Sequence, residues 1–352
     1  MLEYGFESTY NNVNSNGYNK SIRNGTISEA LSRYPDKGSI LGTVATYAGY
    51  KWNPESKIRL AAGLRYFHTF IHSEFSEDYD MIPFSSVDIS TGALTGSGSV
   101  IFYPRSDTKF SVIISTGYRA PNVDDFGKVR AKDQEVTLPG NSLKPEYAFN
   151  AEFGAEKTFG GVVSTGFNVY YTLLTNAIVS AYSTYNGKDS LNYNGDMYRI
   201  VTNTNSDKAY ITGASVFLNV KLNEKFGLEN TINYTYGRDK SNDVPLAHIP
   251  PVFGKSSINF EKKIFQSELY VAYHGWKRKE NYGSGSEDNL NYATVYGAPS
   301  WATLNLNTVT KLGKHLQLQL AIENIFDTYY RVFASGVSAS GRNYIVSLKA
   351  TI

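Results

Sequence analysis

The residue types best suited to chemistry in this sequence do not form a catalytic set. His68 and His72 are four positions apart in a segment of alternating polarity, and an extended strand separates such residues by roughly 13 Å, too far for one metal ion. The segment Gly336-Val-Ser-Ala-Ser lacks the final glycine of a nucleophile elbow. No Walker-type or dinucleotide-binding loop occurs. We therefore expect no enzyme, no metal site and no cofactor.

Cations and aromatic residues between the strand-like segments predict ligand contact instead. The candidate ligand-binding residues are Arg119, Trp276, Lys277, Arg278, Lys279, Tyr296 and Arg331. Such groups suit an anionic, partly aromatic iron chelate, because guanidinium groups pair with anions and cations stack on rings. The same residue types also suit lipid headgroups or lipopolysaccharide at a membrane surface. The sequence leaves both interpretations open.

Composition limits the classes of protein to consider. The chain has 352 residues, of which 41% are hydrophobic and 14% aromatic, including 28 tyrosines. Its apolar runs are much shorter than the roughly 20 residues of a membrane-spanning helix. The net charge is +2 without a basic stripe, so we expect no nucleic-acid partner. The absence of cysteine excludes disulfides and thiol chemistry.

Alternating polarity predicts that the chain is built from strands. Near the end of the chain, Leu316, Leu318, Leu320 and Ile322 share one face of an extended strand, and polar residues dominate the other. Similar segments recur about fourteen times. A soluble sandwich would show the same alternation, so the strand pattern alone does not decide between a soluble and a membrane protein.

The lengths of the connections favour a transmembrane barrel. Short connections are predicted near 53–56, 105–108, 160–161, 223–225, 262–263 and 312–313, and long ones near 13–38, 73–87, 119–145, 180–207, 238–253, 276–298 and 327–341. Long and short connections alternate strictly, as in a barrel with short periplasmic turns and long extracellular loops. We expect one all-β domain, residues 1–352, with Arg59, Arg65 and Glu268 pointing into the lumen.

Three stretches resemble the TonB-dependent outer-membrane receptors. Ser115-Thr-Gly-Tyr-Arg-Ala-Pro-Asn and Asn141-Ser-Leu-Lys-Pro-Glu resemble the family's "GFRAPN" and "NPDLKPE" segments, Pro245-Leu-Ala-His-Ile-Pro-Pro resembles "PLPHIPP", and Glu323-Asn-Ile-Phe-Asp-Thr-Tyr-Tyr-Arg resembles "xNLFDxxYR". We expect structural roles for these motifs, since proline ends strand pairing and Asn or Asp bonds local amides. The motif residues are Tyr118, Arg119, Ala120, Pro121, Asn122, Leu143, Lys144, Pro145, Glu146, Pro245, His248, Pro250, Pro251, Asn324, Phe326, Asp327 and Tyr330.

The resemblance implies an antiparallel β-barrel of 22 strands with a plugged lumen, of which this chain would be about the last fourteen strands. A plug, a TonB box and a signal peptide would then be missing, and we expect that this piece alone does not transport. The last residue, Ile352, departs from the family's usual terminal aromatic residue. A haem ligand is disfavoured because residues 122–139 contain no histidine.

The function implied by the resemblance is uptake of a scarce nutrient, most often a ferric siderophore, across the outer membrane of a Gram-negative cell. The implied partners are outer-membrane lipid and lipopolysaccharide, a small-molecule ligand such as an iron chelate, and the TonB complex through the missing N-terminal region. Two alternatives stay open from the sequence: a self-contained passive pore, and a soluble β-rich surface protein that binds a partner through its loops.

Overall fold

The computed structural model describes residues 1–30, 32–76, 84–132, 134–193, 195–283 and 288–351, with Asp207 described by its backbone alone. In chain order the elements are β1 (Leu2–Val13), β2 (Gly17–Lys20), β3 (Ile27–Ala30), β4 (Ser39–Glu55), β5 (Ile58–Glu74), β6 (Ser86–Arg105), β7 (Thr108–Arg119), α1 (Val123–Phe126), β8 (Arg130–Lys132), β9 (Glu135–Leu138), β10 (Glu146–Phe159), β11 (Val163–Tyr182), β12 (Ser190–Tyr193), β13 (Asp196–Lys221), β14 (Phe226–Asp239), β15 (Val244–Pro245), β16 (Phe253–Lys262), β17 (Phe265–His274), β18 (Lys277–Arg278), two 3-10 turns (Lys279–Asn281 and Leu290–Tyr292), β19 (Gly297–Ala298), β20 (Trp301–Lys311), β21 (Leu316–Glu323) and β22 (Asn343–Ala350). Among these residues no helix has the length and apolar character needed to cross a membrane.

Fourteen long strands of the described chain form one antiparallel sheet. Each pairs with the next long strand in sequence, from β1 with β4 through to β21 with β22. The predicted all-β antiparallel architecture and its strand number are therefore confirmed. The arrangement is a partial barrel, since the sheet as described runs from β1 at one edge to β22 at the other.

The connections alternate in length as predicted. Short turns occupy 56–57, 106–107, 160–162, 222–225, 263–264 and 312–315. The long connections are loop 1 (14–38), loop 2 (75–85), loop 3 (120–145), loop 4 (183–195), loop 5 (240–252), loop 6 (275–300) and loop 7 (324–342). Two predicted boundaries were wrong. Loop 4 is shorter than 180–207 because β11 and β13 stay paired as far as Tyr182 and Val201, and β4 continues through Pro54 by a shift in register.

One face of the sheet is apolar and exposed. Val100 pairs with Val112, Val112 with Phe153, and Phe153 with Val169, so these side chains form a row across four strands. All four are exposed. In a transmembrane barrel such a face contacts lipid.

The other face carries charged side chains, as predicted, and some of them form ion pairs. Arg65 lies 2.5 Å from Glu7, and Glu268 lies 2.5 Å from Lys255. Arg59 shares the face of Arg65 because both have the same parity in β5. The ion pairs compensate the charges of Arg65 and Glu268, whereas an arginine at the midplane of the lipid face would cost about 2–4 kcal/mol.

The long connections contain structure of their own. Phe126 of α1 is buried against Ile71, Phe75 and Val87 at the rim of the sheet. The strand β9 adds to the protruding end of β13 in parallel, although the long strands are antiparallel. The loops therefore form a packed layer over the rim that carries the longer connections.

Candidate functional site

Aromatic rings stack where loops 6 and 7 meet the sheet. Trp301 begins β20 and pairs with His274, the last residue of β17. The two rings are parallel within 5° at 5.4 Å, and Tyr330 of loop 7 covers Trp301 with ring centroids 4.3 Å apart. The strand register thus positions one side of the stack, and loop 7 supplies the other.

A cavity of about 190 Å³ lies beside this stack, between loops 6 and 7. Its lining is rich in aromatic side chains, namely Tyr282, Tyr292, Trp301, Tyr329, Tyr330 and Phe333, with Arg331 and Asp288 as its charged residues. A cavity of roughly 150 Å³ is enough to hold benzene. The space therefore suits one ring-sized group.

Arg331 is the cation of the cavity lining and is half-buried. Its Nη1 donates to the carbonyl oxygen of Tyr292 at 2.8 Å, and its guanidinium carbon lies 5.3 Å from the Tyr292 ring centre. A guanidinium has five N–H donors, so this contact orients the group while leaving it capacity to bind an anion.

Trp301 adds an unusual polar atom to the same place. Its Nε1 is buried and has no hydrogen-bond acceptor among the described residues. A buried donor without a partner costs about 1–3 kcal/mol.

Asp288 and Asn289 connect four of the long loops, and we call them the Asp288–Asn289 clasp. Asp288 is 2% exposed, and its two carboxylate oxygens accept from the backbone N–H groups of His248 at 2.7 Å and Gly283 at 2.8 Å. Asn289 donates to the carbonyl oxygen of Ala334 at 2.6 Å and accepts from the ammonium of Lys132. The clasp thus joins loop 6 to loops 3, 5 and 7.

Lys277 strengthens the same junction. It is 6% exposed, its ammonium donates to the carbonyl oxygen of Ile249 at 2.6 Å, and it lies 4.9 Å from the Phe333 ring centre. Burial lowers the pKa of the Lys277 ammonium, and the charge of Asp288 partly opposes that shift. Burial also raises the pKa of the Tyr282 phenol, and Asp288 acts in the same direction. Lys277 ties loop 6 to loop 5 and does not line the cavity.

The other predicted ligand residues lie elsewhere. Trp276 donates from Nε1 to the carbonyl oxygen of Tyr296 at 3.1 Å, and Arg278 lies 4.8 Å from the Trp276 ring centre. These three residues and Lys279 are exposed on loop 6. Arg119 is at the start of loop 3, where it pairs with two carboxylates. Of the seven predicted residues, only Arg331 lines the cavity, and ligand contact by the others stays a prediction.

The first motif joins the two ends of loop 3. Arg119 pairs with Asp125 at 2.6 Å and with Glu146, which begins β10. Asn122 caps α1 by accepting from the backbone N–H of Asp125. Two of the remaining motif residues form hydrogen bonds: Tyr118 donates to Thr91, and the backbone of Lys144 bonds the Asn205 side chain. The others are buried or half-buried: Pro121 is buried, Leu143 packs on the Phe126 cluster, and Ala120 and Pro145 are half-buried.

The second and third motifs shape loops 5 and 7. Pro245 lies in β15, His248 has a φ of 61° and donates its N–H to Asp288, and Pro250 and Pro251 lead towards β16. Asn324 is buried, donates to the carbonyl oxygen of Thr328 at 2.9 Å and accepts from its N–H at 2.8 Å. Asp327 accepts from the N–H of Arg342 at 2.8 Å, and Phe326 is exposed. Tyr330 contributes to the cavity wall.

The two histidines singled out in the sequence have separate partners. His68 contacts the hydroxyls of Tyr66 and Ser90, each at 3.1 Å, and His72 contacts Asp88 at 2.7 Å. The part of the chain that the structure describes contains no group of three or more His, Cys, Asp or Glu side chains placed to hold a metal ion. The terminal Ile352 lies outside the described residues.

Sequence reasoning missed several cavity residues. Trp301 and Asp288 were not singled out, because one begins an ordinary alternating strand and the other is an isolated carboxylate in the sequence. Tyr330 was assigned a structural role only. The usable signal was the density of tyrosine in loops 6 and 7, with residues 282, 292, 329 and 330 all tyrosine.

Comparison with known proteins agrees with this architecture. The family model described as "TonB dependent receptor-like, beta-barrel" matches residues 2–325. An iron-regulated outer membrane virulence protein of Vibrio cholerae is 22% identical over 247 residues, which cover 67% of this chain and 36% of that protein. The chain thus spans about a third of the length of the curated relatives it matches.

Solved structures show the same fold at low sequence identity. The copper transporter OprC superposes with a TM-score of 0.79 at 14% identity, covering 99% of this chain and 54% of that chain. For the siderophore receptor PiuA from Acinetobacter baumannii the TM-score is 0.70 at 13% identity, with 99% and 53% covered. For the ferric enterobactin receptor PfeA from Pseudomonas aeruginosa it is 0.65 at 16% identity, with 99% and 59% covered. The chain belongs to the TonB-dependent receptor β-barrel family, whose place is the outer membrane of Gram-negative bacteria.

Proposed function

We propose that this chain forms the wall and outer mouth of a receptor that takes up a scarce nutrient, a ferric siderophore or similar iron chelate, under force transmitted by TonB. The observation that carries the proposal is the packed layer of long loops at one rim, with an aromatic cavity and a half-buried arginine between loops 6 and 7. Family membership supports a receptor and transporter rather than an enzyme.

A chelate fits this site better than a bare metal ion. Copper(I) prefers Cys and Met ligands and copper(II) favours imidazole, whereas this chain has no Cys, three Met and five His. The described residues offer no set of carboxylate or imidazole groups for direct iron binding. Aromatic rings and a guanidinium instead suit an organic ligand that has already complexed the metal.

The test is uptake in cells of the source bacterium. Deleting the gene that encodes this chain should abolish accumulation of radioactive iron from at least one ferric chelate, and restoring the gene should recover it. Uptake should stop when tonB is deleted or an uncoupler is added. Copper accumulation serves as the matched control and should not change.

Two results would contradict the proposal. The first is a deletion strain that takes up every tested ferric chelate at the normal rate. The second is a deletion strain that takes up small hydrophilic solutes more slowly, by the same amount whether or not TonB is present. A passive pore would give this result, because diffusion through it needs no TonB. A reconstituted barrel of this chain alone that shows TonB-dependent uptake would contradict the expectation that other parts of the receptor are required.

A further inference from the structure

Three cations lie close together on one face of the sheet, where β14 ends and loop 5 begins. Tyr210 of β13 pairs with Arg238 of β14. The next pair towards the rim is Lys208 with Lys240, since the N–H of Lys240 donates to the carbonyl oxygen of Lys208 at 2.8 Å. Residues two apart on a strand share a face, and the Lys240 ammonium lies 5.0 Å from the Tyr210 ring centre. We call these four residues the rim block.

The rim block continues the apolar face of the sheet. Tyr210 pairs with Leu173 of β11, which has the same parity as Val169 in the exposed apolar row. The Tyr210 ring lies 5.8 Å from that of Tyr171 and 6.0 Å from that of Tyr236. Tyrosine rings are typical of the boundary between the hydrocarbon layer and the lipid headgroups. The cations beyond this row of rings therefore lie at the level of the headgroups, on the rim that carries the long connections.

The positive charge of the rim block is only partly compensated. Arg238 donates from Nε to the Asp243 carboxylate and from Nη2 to the Asp243 carbonyl oxygen, both at 2.7 Å. Lys208 and Lys240 are exposed, and neither forms an ion pair with another described residue. Like charges directly opposite each other on neighbouring strands are unfavourable. An anion seated between the two ammonium groups would relieve this repulsion.

The same face is acidic above β5 and β6. His72 has the parity of Leu60, which pairs with Val100 of the apolar row. Two carboxylates contact its ring there, Asp88 at 2.7 Å and Glu74 at 3.2 Å. The cations of the rim block are therefore a local feature and not part of a uniform basic belt. An anionic headgroup is expected at the rim block and not above β5 and β6.

We propose that the rim block binds a phosphate group of a phosphorylated glycolipid in the outer leaflet, such as the lipid A part of lipopolysaccharide. The phosphate accepts from the ammonium groups of Lys208 and Lys240, and the tyrosine row lies beneath the sugar ring that carries it. Hydrogen-bonded pairs in an antiparallel sheet have Cα atoms about 5.5 Å apart, and charge-assisted N–H···O bonds are about 2.7–2.9 Å long. One phosphate can therefore contact both lysines.

The test measures lipid binding to the full chain, folded in micelles of an uncharged detergent, by native mass spectrometry. The probes are diphosphoryl lipid A, the same lipid A without its phosphates, phosphatidylglycerol and inorganic phosphate. Diphosphoryl lipid A should bind as one retained copy. The dephosphorylated form should bind about tenfold more weakly, because the charge-assisted hydrogen bonds are lost. Phosphatidylglycerol should also bind about tenfold more weakly, because it has no sugar ring to lie on the tyrosines.

Variants assign the binding to the two lysines. Lys208→Gln/Lys240→Gln should weaken lipid A binding about tenfold. Lys311→Gln/Lys314→Gln is the matched control, because it removes two exposed positive charges at the opposite rim, and it should leave the affinity unchanged. Lys240→Gln alone serves as the second variant if the first pair does not fold.

Thermal unfolding separates binding from folding. Without lipid A, Lys208→Gln/Lys240→Gln should unfold at the same temperature as the unmodified chain or higher, because the repulsion between the lysines is removed. Lipid A should raise the unfolding temperature of the unmodified chain and of the control pair, since a ligand that binds the folded state stabilises it. It should raise that of Lys208→Gln/Lys240→Gln much less.

Four results would overturn the assignment. They are equal affinity for the two forms of lipid A, equal effects of the two double variants, binding of phosphatidylglycerol as tight as that of diphosphoryl lipid A, and displacement of lipid A by excess inorganic phosphate. None of these measurements involves iron uptake or TonB, so they test the glycolipid site separately from the proposed function.

Discussion

Two adjacent isoleucines in β7 provide a direct test of the two sheet faces. Ile114 is 48% exposed on the apolar face and pairs with Gly98 and Ala151. Ile113 is half-buried on the polar face beside Glu152. Both residues lie near the middle of β7, so the same substitution at either position samples nearly the same membrane depth but opposite environments.

Arginine at these positions should have very different effects on stability. Ile114→Arg places a charge in the hydrocarbon layer and should lower the free energy of unfolding by about 2–4 kcal/mol, which reduces the folded-to-unfolded ratio roughly 30- to 900-fold. Ile113→Arg places the charge beside the Glu152 carboxylate on the wetted face, and the change should stay within about 1 kcal/mol.

The assay is equilibrium unfolding by guanidinium in lipid vesicles, followed by tryptophan emission. Both variants replace isoleucine with arginine in the same strand, so they change side-chain size and strand propensity equally. A difference in their stability then reports the environment of each face. Equal destabilisation by the two variants, or a larger loss for Ile113→Arg, would contradict the assignment of the apolar face to lipid.

Two further predictions concern the loops. Gly341→Ala should destabilise the protein by about 1 kcal/mol in thermal unfolding, because the added methyl group would displace the Asp327 oxygen that accepts from the backbone N–H of Arg342. Gly336→Ala, with open space around it, should change stability by less than about 0.5 kcal/mol. Asp288→Asn should leave one backbone N–H without its acceptor, at a cost of about 1–3 kcal/mol, and should speed tryptic cleavage of loop 6. Glu280→Gln, on the exposed surface of the same loop, should leave the cleavage rate unchanged. Equal cleavage rates for the two variants would refute the clasp.

The sheet was predictable because the polarity pattern of each strand is local. Leu320 and its alternate neighbours indicate one apolar face, and Gly160-Gly161, Asn223 and Gly313 mark three of the six short turns. These signals need no knowledge of the rest of the chain. Pro54 was misread as a turn residue for the same reason, since its effect on pairing depends on the partner strand β5, where the register shifts to accommodate it.

The loops were not predictable at this level because long-range contacts determine their structure. The parallel pairing of β9 with β13 joins Val136 to Ile200, and no local pattern specifies that partnership. Lys277 and Arg331 looked equivalent in the sequence, as cations near aromatic residues. Folding buries the first against the Ile249 carbonyl group and leaves the second on a cavity wall, a difference that depends on how loops 5 and 7 approach loop 6.

The contacts between loops 5 and 6 determine the free energy needed to separate these two loops. Consecutive residues of loop 5 are held by loop 6, since His248 donates to Asp288 and Ile249 accepts from Lys277. Hydrogen bonds to charged groups contribute about 1.5–3 kcal/mol each, so separating loop 6 from loop 5 at both contacts costs at least about 3 kcal/mol. By that measure, fewer than about one molecule in a hundred is open in the absence of ligand. Asp288→Asn weakens one of the two contacts and should therefore raise the open fraction while lowering stability.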